Sequence, residues 1–444
     1  MRAEGGGVRN RFVIAALFLI PAMLFAFERH HAAYAQAAPC GGGHDRALVL
    51  SGGGAKGAFE AGAIYHLVYQ RGCDFGDISG VSVGALNGSY LAQASEDVDS
   101  LANLKVAANR LVDFWEGITG PQEVLKPRFL GEVRFFLFGL DSFNDFDGLK
   151  DIIAAQIDPS KIRASKRKLR VGVTSFVDGA YHEIEPEDVT DDVFRKYILA
   201  STAIPVYAPL PEIDTTLDNG VRAKLQYADG GVSHATPVVG YFSPCNFSQL
   251  QLSVEALPSS DCAKTSKPHR PPLKQLFVVI ANPYDPRSPN FGSPSTGSSP
   301  PTPVPGGSPI LDQTINVLTS TSYRWDLNFA ITANEMLRWR AKHFPQIDPA
   351  ARPASDDFPI RSANPGPDGI TLPYDMVIIG PPRPYSDVYG FDRANIQLQL
   401  HKGCVWADDA IVHAFHVASM QQACTAKFPI SPAQLQAEAD PVEP

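Results

Sequence analysis

Two short glycine motifs near the start of the chain constrain its fold more than any other feature. An apolar run at residues 48–50 leads into Gly52-Gly53-Gly54-Ala55-Lys56-Gly57, which indicates a strand followed by a glycine loop. Further on, Gly80-Val81-Ser82-Val83-Gly84 has the Gly-x-Ser-x-Gly spacing of a nucleophile elbow, a sharp strand-to-helix turn that presents a serine. Glycine is needed on both sides because side chains there would collide with the neighbouring strand and helix. One motif offers a nucleophile and the other offers backbone N–H groups, so together they describe an acyl-transfer site.

The N-terminal residues predict export. Arginines at positions 2, 9 and 11 precede an apolar run from Phe12 to Phe27, and Ala33-Tyr34-Ala35 has the small residues of a cleavage site. This pattern is typical of a secretory signal peptide, here residues 1–35. The apolar run has about 16 residues, fewer than the roughly 20 that a membrane span needs, so an uncleaved signal anchor is the less favoured alternative. We expect the mature protein to be periplasmic or secreted.

Net charge argues against a nucleic-acid partner. The chain has a formal charge of −9, and removing the peptide takes away four arginines and two glutamates, which leaves −11. An exported protein this acidic is a poor ligand for phosphate backbones or for anionic membranes held by charge alone.

All six cysteines follow the predicted cleavage site. An even number of cysteines in an oxidising compartment predicts disulfide bonds, with buried free thiols as the alternative. Proximity in the sequence favours Cys245–Cys262, Cys404–Cys424 and Cys40–Cys73. The spacings do not resemble those of zinc ligands, and we predict no metal site.

Alternating apolar strands and helices predict a three-layer α/β/α fold, with mostly parallel central strands covered by helices on both faces. Strands are predicted at 47–50, 75–81, 169–176, 276–281 and 376–379, and helices at 57–70, 83–94, 312–343 and 408–424. We expect one catalytic domain over residues 44–425. A Pro/Ser/Gly-rich mobile insertion at 285–309 would interrupt it, and residues 435–444 would form a disordered tail.

Taken in order, the glycine loop, the elbow and Asp229-Gly230-Gly231 resemble the motifs of patatin-like phospholipases. A fourth similarity is Ala200-Ser201-Thr202-Ala203-Ile204-Pro205, which resembles the Ala-Ser-x-Ala-x-Pro segment of that family. The resemblance implies the patatin-like sheet and a serine–aspartate dyad without histidine. In this chain it implies Ser82 as the nucleophile and Asp229 as the group that accepts its proton. The oxyanion hole would be formed by backbone amides of the loop Gly52, Gly53 and Gly54, chiefly those of Gly53 and Gly54.

Several further residues are expected to support this dyad. They are Lys56, Gly57, Gly80, Gly84, Gly230 and Gly231. We expect Lys56 to orient the glycine loop, with a solvated lysine as the alternative. Ser201 is expected to be structural, and partial burial of Asp229 is expected to make it a stronger base. His234 stands where many members of the family have Asn, so the local support of Asp229 is expected to differ.

The sequence thus predicts an exported serine hydrolase that cleaves acyl esters of lipids, of phospholipase A or lysophospholipase type, through an acyl-enzyme. We expect lipid at a membrane or micelle surface as its partner, and no metal, organic cofactor or nucleotide. The segment Phe129–Phe143 is a candidate lid or acyl-binding wall, or alternatively a buried part of the core.

Three alternative functions share part of this sequence pattern. A non-catalytic lipid-binding protein would retain the same fold. An α/β-hydrolase esterase with a Ser-His-Asp triad would need a histidine near the C-terminus, such as His413 or His416. A nucleotide site is disfavoured because a P-loop requires Gly-x-x-x-x-Gly-Lys-Ser/Thr, whereas Lys56 is followed by Gly57.

Overall fold

The computed structural model describes residues 40, 43–128, 142–216, 222–242, 272–283, 308–343, 362–364, 372–382, 389–412 and 418–431. Several predictions lie wholly or largely outside this part of the chain and stay predictions. They are the signal peptide 1–35, the Cys245–Cys262 pair, most of Phe129–Phe143, the insertion at 285–309 apart from its last two residues, the tail 435–444, and the triad candidates His413 and His416.

A mixed sheet forms the centre of the fold. The described strands are β1 (Arg46–Leu50), β2 (Asp77–Val81), β3 (Lys126–Pro127), β4 (Asn144–Asp145), β5 (Lys168–Ser175), β6 (Tyr181–Ile184), β7 (Glu212–Thr216), β8 (Arg222–Asp229), β9 (Gln275–Val279) and β10 (Asp375–Ile379). All but β3 and β4, which pair with each other, belong to one sheet of order β10-β9-β1-β2-β5-β8-β7, with β6 also paired to β5. Strands β10, β9, β1, β2 and β5 run parallel. Strands β6, β8 and β7 pair antiparallel with their neighbours.

The described helices are α1 (Gly57–Tyr65), α2 (Val83–Ala92), α3 (Ser100–Gly117), α4 (Asp147–Gln156), α5 (Pro159–Ser165), α6 (Asp191–Ser201), α7 (Ser308–His343), α8 (Arg393–Val412) and α9 (Ala418–Lys427). A π-helical turn, His66–Gln70, continues α1. In the described part of the chain, no helix is both long and apolar enough to cross a membrane.

Helices cover both faces of the sheet. On one face, Leu327 of α7 shares a buried apolar cluster with Ala47 and Val49 of β1. On the other face, a Cβ added at Gly88 of α2 would lie 3.0 Å from the side chain of Ile78 in β2. Every residue of β1 and β2 is buried, as expected for central strands covered on both sides. The three-layer α/β/α prediction is confirmed.

The register of β1 and β2 brings the two glycine motifs together. Leu50 pairs with Gly80, so the chain leaves both strands at the same edge of the sheet, once into the glycine loop and once into the elbow. In open parallel sheets, sites form at this carboxyl edge.

The predicted helix at 408–424 is wrong in its bounds. The chain is already helical from Arg393, α8 ends at Val412, and α9 begins at Ala418. The start was missed because α8 has no clear apolar stripe: polar Gln399, His401 and Lys402 are buried beside apolar Ile396 and Leu400. A helix that is buried nearly all round lacks the periodicity by which an amphipathic helix is recognised.

Two of the three predicted disulfide bonds are confirmed. Cys40–Cys73 links the residues before β1 to those before β2, and Cys404–Cys424 joins α8 to α9. The buried ring of His66 lies beside the second bond, with Nδ1 3.8 Å from Cys404 Sγ. Because the two sulfur atoms are bonded to each other, neither is a thiolate that would bind a metal here.

Candidate active site

Ser82 lies in the sharp turn between β2 and α2. Its φ of 56° and ψ of −127° are values that a non-glycine residue rarely adopts, and such strain costs about 1–3 kcal/mol. Two glycines make the turn possible. A Cβ at Gly80 would overlap the carbonyl of Gly84, and one at Gly84 would lie 2.5 Å from the carbonyl oxygens of Leu50 and Ser51. The structure therefore places Ser82 in the kind of turn that its motif predicts.

The strained backbone of Ser82 is hydrogen-bonded to Ser201, the last residue of α6. The Ser82 N–H donates to Ser201 Oγ over 2.8 Å, and the Ser201 hydroxyl donates to the carbonyl of Gly172 in β5 over 2.6 Å. Ser201 is fully buried. It thus has the structural role that was expected, and the Ser82 N–H is not available to a substrate oxygen.

Asp229 lies at the end of β8 and faces Ser82. Its carboxylate accepts a hydrogen bond from the Gly231 N–H over 2.7 Å, and its side chain is hydrogen-bonded to that of Ser82. Burial raises the pKa of Asp229 to about 7, while the hydrogen bonds from Ser82 and Gly231 act in the opposite direction. A carboxyl group with this pKa accepts a proton far more readily than an exposed aspartate near pH 4.

The turn after Asp229 needs Gly230 for close approach. A Cβ at Gly230 would lie 2.6 Å from the carbonyl oxygen of Gly172 and 3.1 Å from the side chain of Val81. Gly230 therefore lets this turn pack against β5 and β2, which brings Asp229 next to the elbow.

The glycine loop lies directly beside the nucleophile. A Cβ at Gly52 would lie 3.1 Å from Ser82 Cβ, and φ is +157° at Gly53 and +57° at Gly54. The Gly52 N–H donates to the carbonyl of Ala235 over 3.0 Å, so of the three predicted oxyanion donors this one is already occupied. Within the described residues no acceptor is found for the N–H groups of Gly53 and Gly54, which open a 3₁₀ turn leading into α1.

Two predicted supporting residues, Lys56 and Gly57, lie at the C-terminal end of this loop. Lys56 is only 8% exposed, and its Nζ donates to Asn282 Oδ1, just beyond β9, over 2.6 Å. Gly57 stands where a Cβ would overlap the side chain of Val83, which follows the nucleophile. Lys56 thus ties the glycine loop to the neighbouring strand end.

His234 pairs with a residue that the motifs did not indicate. Its Nδ1 lies 2.6 Å from Asp326 Oδ1 of α7, and Asp326 Oδ2 accepts from the Thr236 N–H over 2.9 Å. Asp326 is fully buried, and burial raises its pKa, although His234 opposes this. The segment after Asp229 is therefore supported by a His–Asp pair with α7, while Asp229 itself is held by Gly231 and Ser82.

Sequence reasoning also missed a group of buried polar side chains beneath the glycine loop. Tyr323 of α7 donates its hydroxyl to the carbonyl of Gly52, and Ser51 contacts both that carbonyl and the carboxyl group of Glu60. Tyr323 follows Gly52 by 271 positions, so no local pattern could have linked them.

Similarity to known proteins is concentrated in the part of the chain that forms this site. The profile described as patatin-like phospholipase matches residues 48–240, which include the glycine loop, Ser82 and Asp229. No curated protein matches the chain. Among solved structures, the crystal structure of VipD from Legionella pneumophila is 14% identical, and the match covers 83% of this chain and 67% of that one at a TM-score of 0.33. So low a score adds nothing to the family match. Residues 48–240 of the chain thus form a patatin-like phospholipase domain.

Proposed function

We propose that the protein is an exported serine hydrolase that cleaves acyl esters of lipids with a Ser82–Asp229 dyad. Lipid acyl hydrolase activity is what the family match supports. The dyad, the phospholipase A or lysophospholipase type and the export are the finer parts of the proposal. The observation that carries the dyad is the buried carboxyl group of Asp229, which lies within hydrogen-bonding reach of the Ser82 side chain in its strained turn.

In the first half of the reaction, Asp229 accepts the hydroxyl proton of Ser82 as Oγ forms a bond to the acyl carbon. The carbonyl oxygen becomes an oxyanion and accepts hydrogen bonds from Gly53 and Gly54, each such donor being worth roughly 3–4 kcal/mol of barrier. Collapse of this intermediate breaks the ester C–O bond. The proton on Asp229 passes to the leaving alkoxide, and an acyl-enzyme remains.

In the second half, water takes the place of the alcohol. Asp229 accepts a proton from water as its oxygen attacks the acyl carbon, and the Ser82 oxygen leaves with that proton while the fatty acid departs. A base is most effective when its pKa lies near the working pH, which the pKa of about 7 for Asp229 satisfies.

Contact with a lipid surface is proposed for the exposed face of α7. Trp325 and Trp339 are 61% and 59% exposed, and Met336 is 40% exposed. Positions 325, 336 and 339 fall on one side of a helix with 3.6 residues per turn. Tryptophan side chains favour the boundary between lipid and water. We expect W325A/W339A to lose activity on phosphatidylcholine vesicles while retaining it on soluble short-chain esters. Equal loss on both substrates would contradict this role.

Export is proposed from residues 1–35. Protein recovered from the periplasm or medium of an expressing bacterium should begin at Gln36. A chain that keeps Met1 and stays with the membrane fraction would favour the signal-anchor alternative.

The dyad is tested with p-nitrophenyl esters of graded acyl length. We expect hydrolysis by the wild type and its loss in S82A and D229A, with S89A as the matched control. Ser89 is also a buried serine of this region, and its hydroxyl donates only to the carbonyl of Ala85 within α2. Full activity in S82A would refute the mechanism. An inactive wild type that still binds lipid would favour the lipid-binding alternative, and loss of activity in H413A or H416A would favour the triad.

A further inference from the structure

We propose that Ser51, Glu60 and Tyr323 form a buried lock that fixes the peptide plane between Gly52 and Gly53, and thereby aims the Gly53 N–H at the substrate oxyanion. This inference rests on the proposed function and assigns positioning residues to the same site. The lock is defined as the side chains of these three residues.

The carbonyl of Gly52 is held by two hydroxyl groups from inside the protein. Tyr323 donates its hydroxyl to this oxygen, and Ser51 Oγ lies 3.1 Å from it. Tyr323 is 4% exposed and Ser51 is fully buried, so the carbonyl points inward. In a planar trans peptide the C=O and the following N–H point in opposite directions. The Gly53 N–H therefore points away from Tyr323 and Ser51, and within the described residues it has no acceptor.

A lock is needed at this plane because it lies between two glycines. Neither Gly52 nor Gly53 has a Cβ to resist rotation, and Gly53 already has a φ of +157°. The next plane is fixed in another way, since the carbonyl of Gly53 accepts from the Lys56 N–H over 3.2 Å in the 3₁₀ turn. The orientation of the Gly54 N–H thus comes from the helix, whereas that of the Gly53 N–H comes from the lock.

Asn87 determines how Glu60 is bonded. The indole N–H of Trp115 donates to Asn87 Oδ1 over 3.0 Å, which leaves Asn87 Nδ2 to donate to Glu60 Oε2 over 3.0 Å and to the carbonyl of Gly57. Glu60 Oε2 is therefore an acceptor. The other oxygen, Oε1, lies 3.2 Å from Ser51 Oγ.

Glu60 acts in its neutral form. It is fully buried, no cation pairs with it among the described residues, and burial raises its pKa well above the usual range. Ser51 has a single hydroxyl proton, and the carbonyl of Gly52 and Glu60 Oε1 are both within reach of it. When Glu60 carries a proton on Oε1, it donates to Ser51 Oγ, and the Ser51 proton is free for Gly52.

The same arrangement satisfies Ser51 completely. Ser51 Oγ accepts from the Ala281 N–H over 2.8 Å, and with a protonated Glu60 at 3.2 Å as its second donor its own proton is directed to Gly52. In this arrangement Glu60 donates to Ser51, Ser51 donates to the carbonyl of Gly52, and the hydroxyl of Tyr323 donates to the same carbonyl. An ionised Glu60 would instead compete with Gly52 for the single proton of Ser51.

The test compares kcat and KM for p-nitrophenyl esters in lock variants. We expect about a tenfold loss of kcat in Y323F and about a hundredfold loss in S51A/Y323F, with KM within twofold. A misdirected Gly53 N–H no longer stabilises the oxyanion of the transition state, whereas binding of the neutral ester in the ground state does not depend on it. The matched control is Y374F. Tyr374 shares the buried cluster of Tyr323, and its hydroxyl likewise donates to a backbone carbonyl, that of Tyr241, over 2.9 Å.

Glu60 is tested with a pair of variants. In E60Q the amide N–H replaces the carboxyl O–H toward Ser51, so we expect kcat within threefold of the wild type, whereas E60L is expected to lose about tenfold. Loss in E60Q as large as in E60L would overturn the neutral role. Full kcat in S51A/Y323F, or an equal loss of kcat in Y323F and Y374F, would overturn the lock. If S82A is inactive in the same assay, the dyad is unaffected by that result. An active S82A would instead overturn the proposed function.

Discussion

The buried carboxyl group of Asp229 is expected to make the folded protein less stable above pH 7, and D229N should remove this penalty. In the folded chain burial raises the pKa of Asp229 from 3.8 to about 7. Between these values the folded state binds the proton and the unfolded state does not. The free energy of unfolding therefore falls as pH rises from about 4 to about 7, and above 7 the full penalty is present. A pKa difference of about 3 corresponds to about 4 kcal/mol.

Asn fits the same place without a charge. Its Oδ1 still accepts from the Gly231 N–H, and its Nδ2 donates to Ser82 Oγ. We expect D229N to match the wild type in Tm near pH 4 and to exceed it by about 5 °C at pH 8, given the unfolding entropy of a chain of this length. Its esterase activity should be lost at both pH values.

Thermal unfolding followed by circular dichroism at pH 4, 6 and 8 measures this difference. D113N is the matched control, because Asp113 is an exposed aspartate on α3. If the Tm of D229N followed the same pH dependence as that of the wild type, the carboxyl group would not be the buried, destabilising base described here.

Three further outcomes are expected. The kcat/KM of the wild type should rise with pH through a midpoint near 7, because Asp229 must be unprotonated to accept the proton of Ser82; a flat profile between pH 5 and 9 would contradict this. G84A should lose about 3 kcal/mol or more in urea unfolding because its methyl group meets two backbone carbonyls, whereas G117A, with open space around its Cβ, should be as stable as the wild type. Replacing both Cys404 and Cys424 by Ala should lower the free energy of unfolding by about 3 kcal/mol, since their bond closes a loop with a sequence separation of 20; an unchanged urea midpoint would show that this bond adds no stability.

Short-range patterns predicted the centre of this fold well. Two kinds of local signal were enough. The glycines around Ser82 are required by close backbone contacts at the turn, and burial on both faces of the sheet requires the apolar runs of β1, β5, β9 and β10. The antiparallel strands β6, β7 and β8 were not predicted. Several of their residues are exposed or half-buried, which leaves little apolar pattern to read.

The rest of the candidate site depends on contacts that the sequence does not display. Tyr323 and Asp326 come from α7, about 90 to 270 positions away from the residues that they hold. The sequence predicted Gly52 as an oxyanion donor, but only the fold shows that the carbonyl of Ala235 occupies its N–H. Which backbone groups are free is set by tertiary structure, not by the motif.

The central claim is that Ser82 is the nucleophile and Asp229 its base. A fluorophosphonate probe, which forms a covalent bond with an activated serine, tests it most directly when the modified peptide is identified by mass spectrometry. We predict one adduct per chain, located on Ser82, formed at a rate that rises with pH through about 7 and that falls at least a hundredfold in D229N. An adduct on another serine, or labelling of Ser82 at the wild-type rate in D229N, would contradict the dyad.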